Sequence, residues 1–396
     1  MMQSQQLWTK NFILICLSSF FQFMTFYMLI STLPAFIIGN LDQSEREAGF
    51  AVSAFLVSSL FVRPFSGKWV DEFDRKKILL LSLGCYFLVS VFFLRTTSLW
   101  SVIVIRFLQG CAFGIANTVT ATLAAELIPE TRKGEGIGYF ATCMSLAVAL
   151  GPFLGLTIIA KADFTILFAT VALLALLAVF TSNLICFHKT LPQAPLALKS
   201  AWRWQQYLEP SAAIGGLPSM CILFAFSGVA TFISVYAQQL GIGEWARYFY
   251  VTYAVMVVLS RPIAGKVLDK LGASIVIYPA IILFALALLI LSQVHSVAVF
   301  LAVGALVGLG FGSLFSSLQT IAVEAAPEQR KGMATATFFF LGDFGMGLGP
   351  SVLGVIVAWT NYSVMYMFSA AVVGLTVLVY YGIAGWSKCR RKEVKA

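Results

Sequence analysis

The chain repeats a set of its residues at half its own length. The repeated positions lie 198 residues apart in a chain of 396 residues and include Arg63 and Arg261, Gly67 and Gly265, Asp71 and Asp269, Glu126 and Glu324, and Pro152 and Pro350. So many matches at one shift indicate two duplicated halves. Two similar halves leave room for one site between them, an arrangement typical of transporters.

Apolar runs of about 20 residues recur along the whole chain, and each is long enough to cross the ~30 Å hydrocarbon core of a bilayer. The composition agrees, because 60% of the residues are hydrophobic and 11% are charged, unlike soluble domains. The runs predict twelve transmembrane helices, near 11–38, 48–70, 78–95, 99–125, 136–160, 164–187, 210–238, 246–268, 274–293, 296–325, 333–357 and 362–386. We therefore expect an all-α membrane protein with two pseudo-symmetric six-helix bundles.

A polar stretch at 188–209 separates spans six and seven. It predicts an N-terminal bundle at 1–187, a cytoplasmic linker at 188–209, and a C-terminal bundle at 210–396 with a basic cytoplasmic tail. Trp202 and Trp204 beside Arg203 favour an amphipathic stretch on the inner membrane surface, and an ordinary tether is the alternative.

The formal net charge of +9 does not indicate nucleic-acid binding. With both termini inside, most Lys and Arg residues fall on the cytoplasmic side, and only Arg46, Arg95, Lys161 and Arg247 fall outside. This asymmetry predicts a multi-pass protein of the inner (plasma) membrane, in contact with lipid, with both termini cytoplasmic.

Catalytic and cofactor chemistry is not indicated. The chain has two histidines, both near span ends, no cluster of metal ligands, and no GxxxxGK[ST] loop for a nucleotide. We expect no enzyme activity, no cofactor and no metal.

The segment from Gly67 to Lys77 lies in the predicted cytoplasmic loop between spans two and three. It resembles the GxLaDrxGrrk signature of the major facilitator superfamily, and Gly265 to Gly272 resembles its second copy. The resemblance covers essentially the whole chain. It implies a twelve-span fold that works by alternating access, with a cytoplasmic gate formed near the two copies.

The resemblance implies gating roles for a larger set, comprising Arg63, Gly67, Asp71, Arg75, Glu126, Arg261, Gly265, Asp269, Lys270 and Glu324. Asp71 would face the start of span eleven, and Asp269 the start of span five, because a carboxylate suits a helix N-terminus. Arg75 would pair with Glu126, and Lys270 is the substitute partner expected for Glu324. Solvated loop charges are the alternative.

Gly151, Pro152 and Gly155 in span five resemble the antiporter motif of drug and metabolite exporters in this superfamily. The pattern predicts a bent helix that slides against span eight. A kink without specificity is the alternative.

Asp343 is the acidic residue placed near the middle of a span. A carboxylate at that depth is expected to face protein or a water-filled cavity, and it is our candidate proton carrier; a structural pair with Arg63 is the alternative. Arg106 and Gln109 resemble the RxxxG-type motif of proton-coupled members in span four. Arg106 would tune the proton site or attract an anionic substrate, and an anchor at the outer interface is the alternative.

Spans one, four, seven and ten are expected to line the substrate cavity. Their polar and aromatic candidates are Gln22, Thr25, Tyr27, Gln109, Asn117, Phe224, Tyr236, Phe311, Ser316 and Gln319. With 35 Phe and 11 Met in the chain, an adaptable apolar lining is expected, which suits amphipathic molecules.

These observations predict a monomeric secondary transporter that exports a small amphipathic drug or metabolite in exchange for protons. A proton-coupled nutrient permease is one alternative, and a transport-inactive membrane sensor or scaffold is another.

Overall fold

The described part of the chain contains twelve α-helices, as predicted. A computed structural model describes residues 7–129, 133–185, 208–327 and 331–393, and no strand occurs in these ranges. The helices, numbered in chain order, are α1 Lys10–Asn40, α2 Glu45–Glu72, α3 Arg75–Val91, α4 Leu99–Leu127, α5 Lys133–Lys161, α6 Phe164–Asn183, α7 Ala213–Gln239, α8 Ala246–Leu271, α9 Ala273–Leu291, α10 Val297–Glu324, α11 Lys331–Trp359 and α12 Tyr362–Glu393. The prediction of an all-α fold is confirmed.

Within the described part of the chain, nine helices are long and apolar enough to cross a membrane. The helix α5 contributes a shorter apolar stretch, Leu146–Lys161. The helices α2 and α8, which carry Arg63 and Arg261, are not among the nine.

Capping residues explain where several helices begin. The hydroxyl of Thr9 accepts a hydrogen bond from Phe12 N (3.2 Å) at the start of α1. The carboxylate of Asp74 accepts bonds from Lys76 N (3.0 Å) and Lys77 N (3.3 Å) at the start of α3. These side chains satisfy backbone N–H groups that have no partner within the helix.

Gly272 is the residue of the second half that corresponds to Asp74, 198 residues later. The backbone of Gly272 has φ +91°, a conformation that residues other than glycine rarely adopt. It ends α8 and leads directly into α9, whose start has no side-chain cap. The two copies of the repeated segment therefore differ in how the following helix begins.

Two helix boundaries differ from the sequence prediction. The helix α2 continues through Glu72, so the backbone from Gly67 to Asp71 is helical and not a loop. The final turn of the third span is a 3-10 helix at Phe92–Arg95, after α3 has ended at Val91. The linker prediction at 188–209 lies mostly outside the described residues.

The helices form two compact units. One contains α1, α3 to α6 and α2 from Ala54 onward, and the other contains α7 to α12 together with Ser44–Ser53 of α2. In the first unit, α1 packs on α5, α6 and α4, and in the second, α7 packs on α11, α12 and α10. The central helices α1 and α7 thus hold equivalent places.

Repeated glycines permit close helix packing in both units. A Cβ on Gly110 of α4 would collide with the carbonyl of Phe55 on α2, and a Cβ on Gly308 of α10 would collide with the carbonyl of Tyr253 on α8. Small residues allow backbones to approach in this way in membranes.

We predict that Gly110→Ala lowers the free energy of unfolding by about 1–3 kcal/mol, because the added methyl must displace the backbone of α2. Thermal unfolding of the purified protein in detergent would measure the effect. Gly84→Ala is the control, since nothing lies within 4 Å of its Cβ position. Equal melting temperatures for the two variants would show that the α2–α4 contact has no such constraint.

Candidate functional site

Arg106 of α4 is fully buried in the first unit, with an exposed fraction of 0%. Its Nη1 donates a hydrogen bond to Gln109 Oε1 (2.9 Å), one helical turn along α4. Gln109 Nε2 donates to Ser90 Oγ of α3 (2.9 Å), and Ser90 Oγ donates to the Tyr86 carbonyl (2.7 Å). The alternative of an interfacial anchor is therefore wrong, because the guanidinium does not reach the surface.

An aromatic ring covers the charge. The guanidinium carbon of Arg106 lies 4.2 Å from the centroid of the Phe55 ring, which suits a cation–π interaction. Phe55 is packed against Phe26 (5.0 Å between centroids) and Phe113 (5.1 Å). Sequence reasoning missed Phe55 and Ser90, since nothing in one chain segment shows which residues of α2 and α3 face α4.

The predicted cavity residues of α1 are mostly buried inside the first unit. Gln22 Nε2 donates to the Phe113 carbonyl of α4 (3.1 Å), and Thr25 Oγ1 donates to the Phe21 carbonyl of its own helix (3.0 Å). Both side chains are fully buried. Tyr27 is half-buried against Phe26, and Asn117 is half-buried on α4.

The predicted cavity residues of the second unit also differ in exposure. Phe311 is buried and stacks on Phe226 at 4.2 Å, and Tyr236 is buried with its hydroxyl donating to the Leu291 carbonyl (3.1 Å). Phe224, Ser316 and Gln319 are half-buried.

Asp343 is half-buried, at the thirteenth of the 29 residues of α11. Close packing on α7 holds this part of α11 in place. A Cβ on Gly345 would collide with the Met220 carbonyl, and one on Gly342 would lie 2.6 Å from Leu223 Cδ1. The sequence therefore located the carboxylate correctly along the helix, and the flanking glycines bring it beside α7.

Arg75 and Glu126 form the ion pair that the resemblance implied. Arg75 Nε also donates to the Val70 carbonyl (3.1 Å), and Lys76 Nζ donates to the Ile185 carbonyl (2.8 Å) just after α6. These bonds join the ends of α2, α3, α4 and α6. The ion pair is 23% and 44% exposed, so it contributes about 0–1 kcal/mol to stability.

The second copy of this pair is not formed. Lys270 and Glu324 are both exposed, and no ion pair joins them among the described side chains. Arg63 and Arg261 are half-buried, and the Cβ position of Gly265 faces open space. Gly67, Asp71 and Asp269 lie in described helices, but they are not among the residues whose surroundings the structure describes.

The glycines of α5 pack against α1 within the first unit. A Cβ on Gly151 would lie 2.9 Å from Tyr27 Cβ, and one on Gly155 would lie 2.8 Å from Met28 Cγ, both on α1. Pro152 between them is buried. These residues form the packed contact of α5 with α1, and the sliding of α5 against span eight stays a prediction.

The first turns of α2 pack against α11 within the second unit. Ser351 N donates to Ser53 Oγ (3.1 Å). A Cβ on Gly354 would lie 2.6 Å from the Glu45 carbonyl, and one on Gly49 would collide with the Pro350 carbonyl. These residues belong to the predicted N-terminal bundle, 1–187, but they pack within the second unit.

Comparisons with known proteins agree with this architecture. The family model described as Major Facilitator Superfamily matches residues 15–273 and 248–391. The uncharacterized MFS-type transporter YhhS of Escherichia coli (strain K12) is 23% identical over 380 residues, which cover 92% of this chain and 90% of that protein. Its counterpart from Salmonella enteritidis PT4 is 25% identical over the same extent.

Solved structures share the fold at low sequence identity. The nucleoside transporter NupG is 14% identical with a TM-score of 0.71, over 95% of this chain and 99% of that chain. A POT family transporter in complex with 5-aminolevulinic acid is 12% identical with a TM-score of 0.79, over 97% of this chain and 100% of that chain.

We predict that the buried charge of Arg106 lowers the stability of the protein. In Arg106→Met alone, Gln109 Oε1 loses its donor, which costs about 1–3 kcal/mol. In the double variant Arg106→Met/Gln109→Leu neither polar group is left unpaired, and the melting temperature should equal or exceed that of the wild type. Differential scanning calorimetry in detergent would measure both; a double variant less stable than the single would refute the prediction.

Proposed function

This chain belongs to the Major Facilitator Superfamily and is a multi-pass membrane transporter, and on that premise we propose that it expels a small amphipathic drug or metabolite in exchange for protons. The observation that carries the proposal is the carboxylate of Asp343, halfway along α11. Carboxylates at that depth are costly and mark substrate or proton pathways. We place the protein, as a monomer, in the inner membrane with both termini cytoplasmic.

Asp343 is the proton carrier in this proposal. Its carboxyl group can bind and release a proton, as the acidic residues of proton pathways in membrane transporters do. It takes up a proton from the outer side and releases it to the cytoplasm, and the substrate crosses in the opposite direction. Arg106, in the first unit, supplies a fixed positive charge, because an arginine stays protonated even when buried.

Export, rather than uptake, is supported by the glycine and proline pattern of α5. Gly151, Pro152 and Gly155 resemble the motif of the exporters in this superfamily. The Arg75–Glu126 ion pair supports a gating role for the cytoplasmic ends of α2 to α4, since it is exposed and inexpensive to break.

We predict that Asp343→Asn abolishes proton-driven transport while the protein still folds. Everted membrane vesicles under an imposed proton gradient would be supplied with a panel of dyes, antibiotics and metabolites. Wild-type vesicles should accumulate at least one compound, and the variant should accumulate it at least about tenfold more slowly, as for loss of a proton-transferring group.

Glu244→Gln is the matched control, because Glu244 is an exposed carboxylate outside the long helices. It should transport like the wild type. Transport retained in Asp343→Asn would remove Asp343 from the coupling step. Accumulation in right-side-out vesicles only would replace export with uptake, and accumulation in neither preparation would leave the scaffold alternative.

Alternating access also requires the first turns of α2 to separate from α11. We predict that Gly354→Ala promotes this separation, because its Cβ would lie 2.6 Å from the Glu45 carbonyl. Maleimide labelling of Ala51→Cys, a buried position on α2, should accelerate on the order of tenfold in a background without native cysteines.

Gly374→Ala is the control for this measurement, since nothing lies within 4 Å of its Cβ position on α12. It should leave the labelling rate unchanged. If Gly354→Ala also leaves the rate unchanged, the contact of α2 with α11 does not limit opening.

A further inference from the structure

One edge of the Arg106 guanidinium has no hydrogen-bond partner. Nη1 is used by Gln109, but neither Nε nor Nη2 has a partner among the described residues. The N–H bonds of Nε and Nη2 are directed along the same edge of the planar group. Their spacing matches the two oxygens of a carboxylate, which such an edge binds with two parallel hydrogen bonds.

The positive charge of Arg106 is also uncompensated. The described acidic residues of the first unit lie at helix ends or in connections: Asp42, Asp74, Glu126 and Asp163. None forms an ion pair with Arg106. Burying an unpaired charge is costly, and arginine cannot become neutral to avoid the cost. The guanidinium of Arg106 therefore carries one positive charge that no described carboxylate of the first unit neutralises.

The surroundings of this edge are aromatic. Phe55 lies over the guanidinium, Phe26 and Phe113 pack against Phe55, and Tyr86 packs against Phe113 at 6.2 Å. All four rings are buried. Such surroundings suit an apolar or aromatic body better than a sugar or a second charged group.

We propose that Arg106 binds the carboxylate of an apolar, preferably aromatic, monocarboxylic acid. This rests on the proposed transport function and names the substrate class. A monoanion supplies the one missing charge and fills both unused donors, whereas a dianion would leave an unpaired negative charge among the rings.

Ligand access to Arg106 depends on the side chain of Phe55. In this structure the guanidinium is fully enclosed, so a ligand reaches it only when the covering ring moves. Phe55 follows Ser53 by two positions, where α2 passes from the second unit into the first. The backbone of Phe55 packs closely on Gly110 of α4, so uncovering the free edge of Arg106 requires the Phe55 ring itself to rotate away.

The membrane potential would assist export of such a substrate. A cytoplasm that is electrically negative favours the outward movement of an anion and the inward movement of a proton. Both movements of the proposed exchange thus proceed down the electrical gradient.

The test compares 1-naphthoate with 1-naphthamide, which have the same aromatic body and differ in charge. Isothermal titration calorimetry would use the full-length protein in detergent at pH 7, without a gradient. The wild type should bind the carboxylate at least tenfold more tightly than the amide. Arg106→Gln should abolish that preference, and Arg106→Lys should reduce it, because lysine keeps the charge but lacks the two-donor edge.

Arg46→Gln is the matched control. Arg46 also lies over a phenylalanine, Phe50, at 5.4 Å, but both residues are exposed. This variant should keep the wild-type preference. If Arg106→Gln does not fold, as judged by gel filtration, the wild-type ligand pair and Arg106→Lys decide the result.

Three results would overturn the proposal: equal affinity of the wild type for the two compounds, no binding of 1-naphthoate up to millimolar concentration, or a preference that persists in Arg106→Gln or is undiminished in Arg106→Lys. Binding is measured without a proton gradient, so the result of this test does not depend on whether the protein transports the ligand. A carboxylate preference without proton-driven flux would keep this inference and refute the exporter. Proton-driven flux of other compounds without a carboxylate preference would keep the exporter and refute this inference.

Discussion

The close approach of helix backbones at repeated glycines is the constraint on which the two units depend. Lipid chains are as apolar as the helices, so packing and polar contacts, rather than the exclusion of water, hold the helices together. Gly110 and Gly308 create equivalent contacts in the two units. So do Gly151 of α5, which packs against α1, and Gly349 of α11, which packs against α7. The duplication therefore preserves the places where a side chain would separate two helices.

Against this close packing, Arg106 is an exception that stability alone does not explain. A buried guanidinium with an unused edge opposes folding, and a hydrophobic residue of similar volume would pack without that cost. Its network through Gln109 and Ser90 holds the group in one orientation. A charge kept in place at such a cost is typical of a functional site, where unsatisfied groups are completed by a ligand.

Much of the fold was predictable because long apolar runs admit few structures. The number of helices and the position of Asp343 along its helix both follow from local pattern. The pair of Arg75 with Glu126 was expected from a resemblance. Packing partners were harder to predict: Gly151 and Gly155 contact α1, and interhelical distance depends on the whole bundle. The helix–loop boundary expected at Gly67 was misplaced, because polar residues extend α2 beyond its apolar run.

The sequence by itself determined that this is a duplicated, all-helical membrane protein of the Major Facilitator Superfamily, because hydrophobic length and repeated motifs are read along the chain. The tertiary structure alone decided which side chains meet. It enclosed Arg106 beneath Phe55 of α2, joined Gln109 to Ser90 of α3, and placed the first turns of α2 in the second unit. These contacts bring together residues far apart in sequence, and helical periodicity specifies a face of a helix but not the partner that covers it.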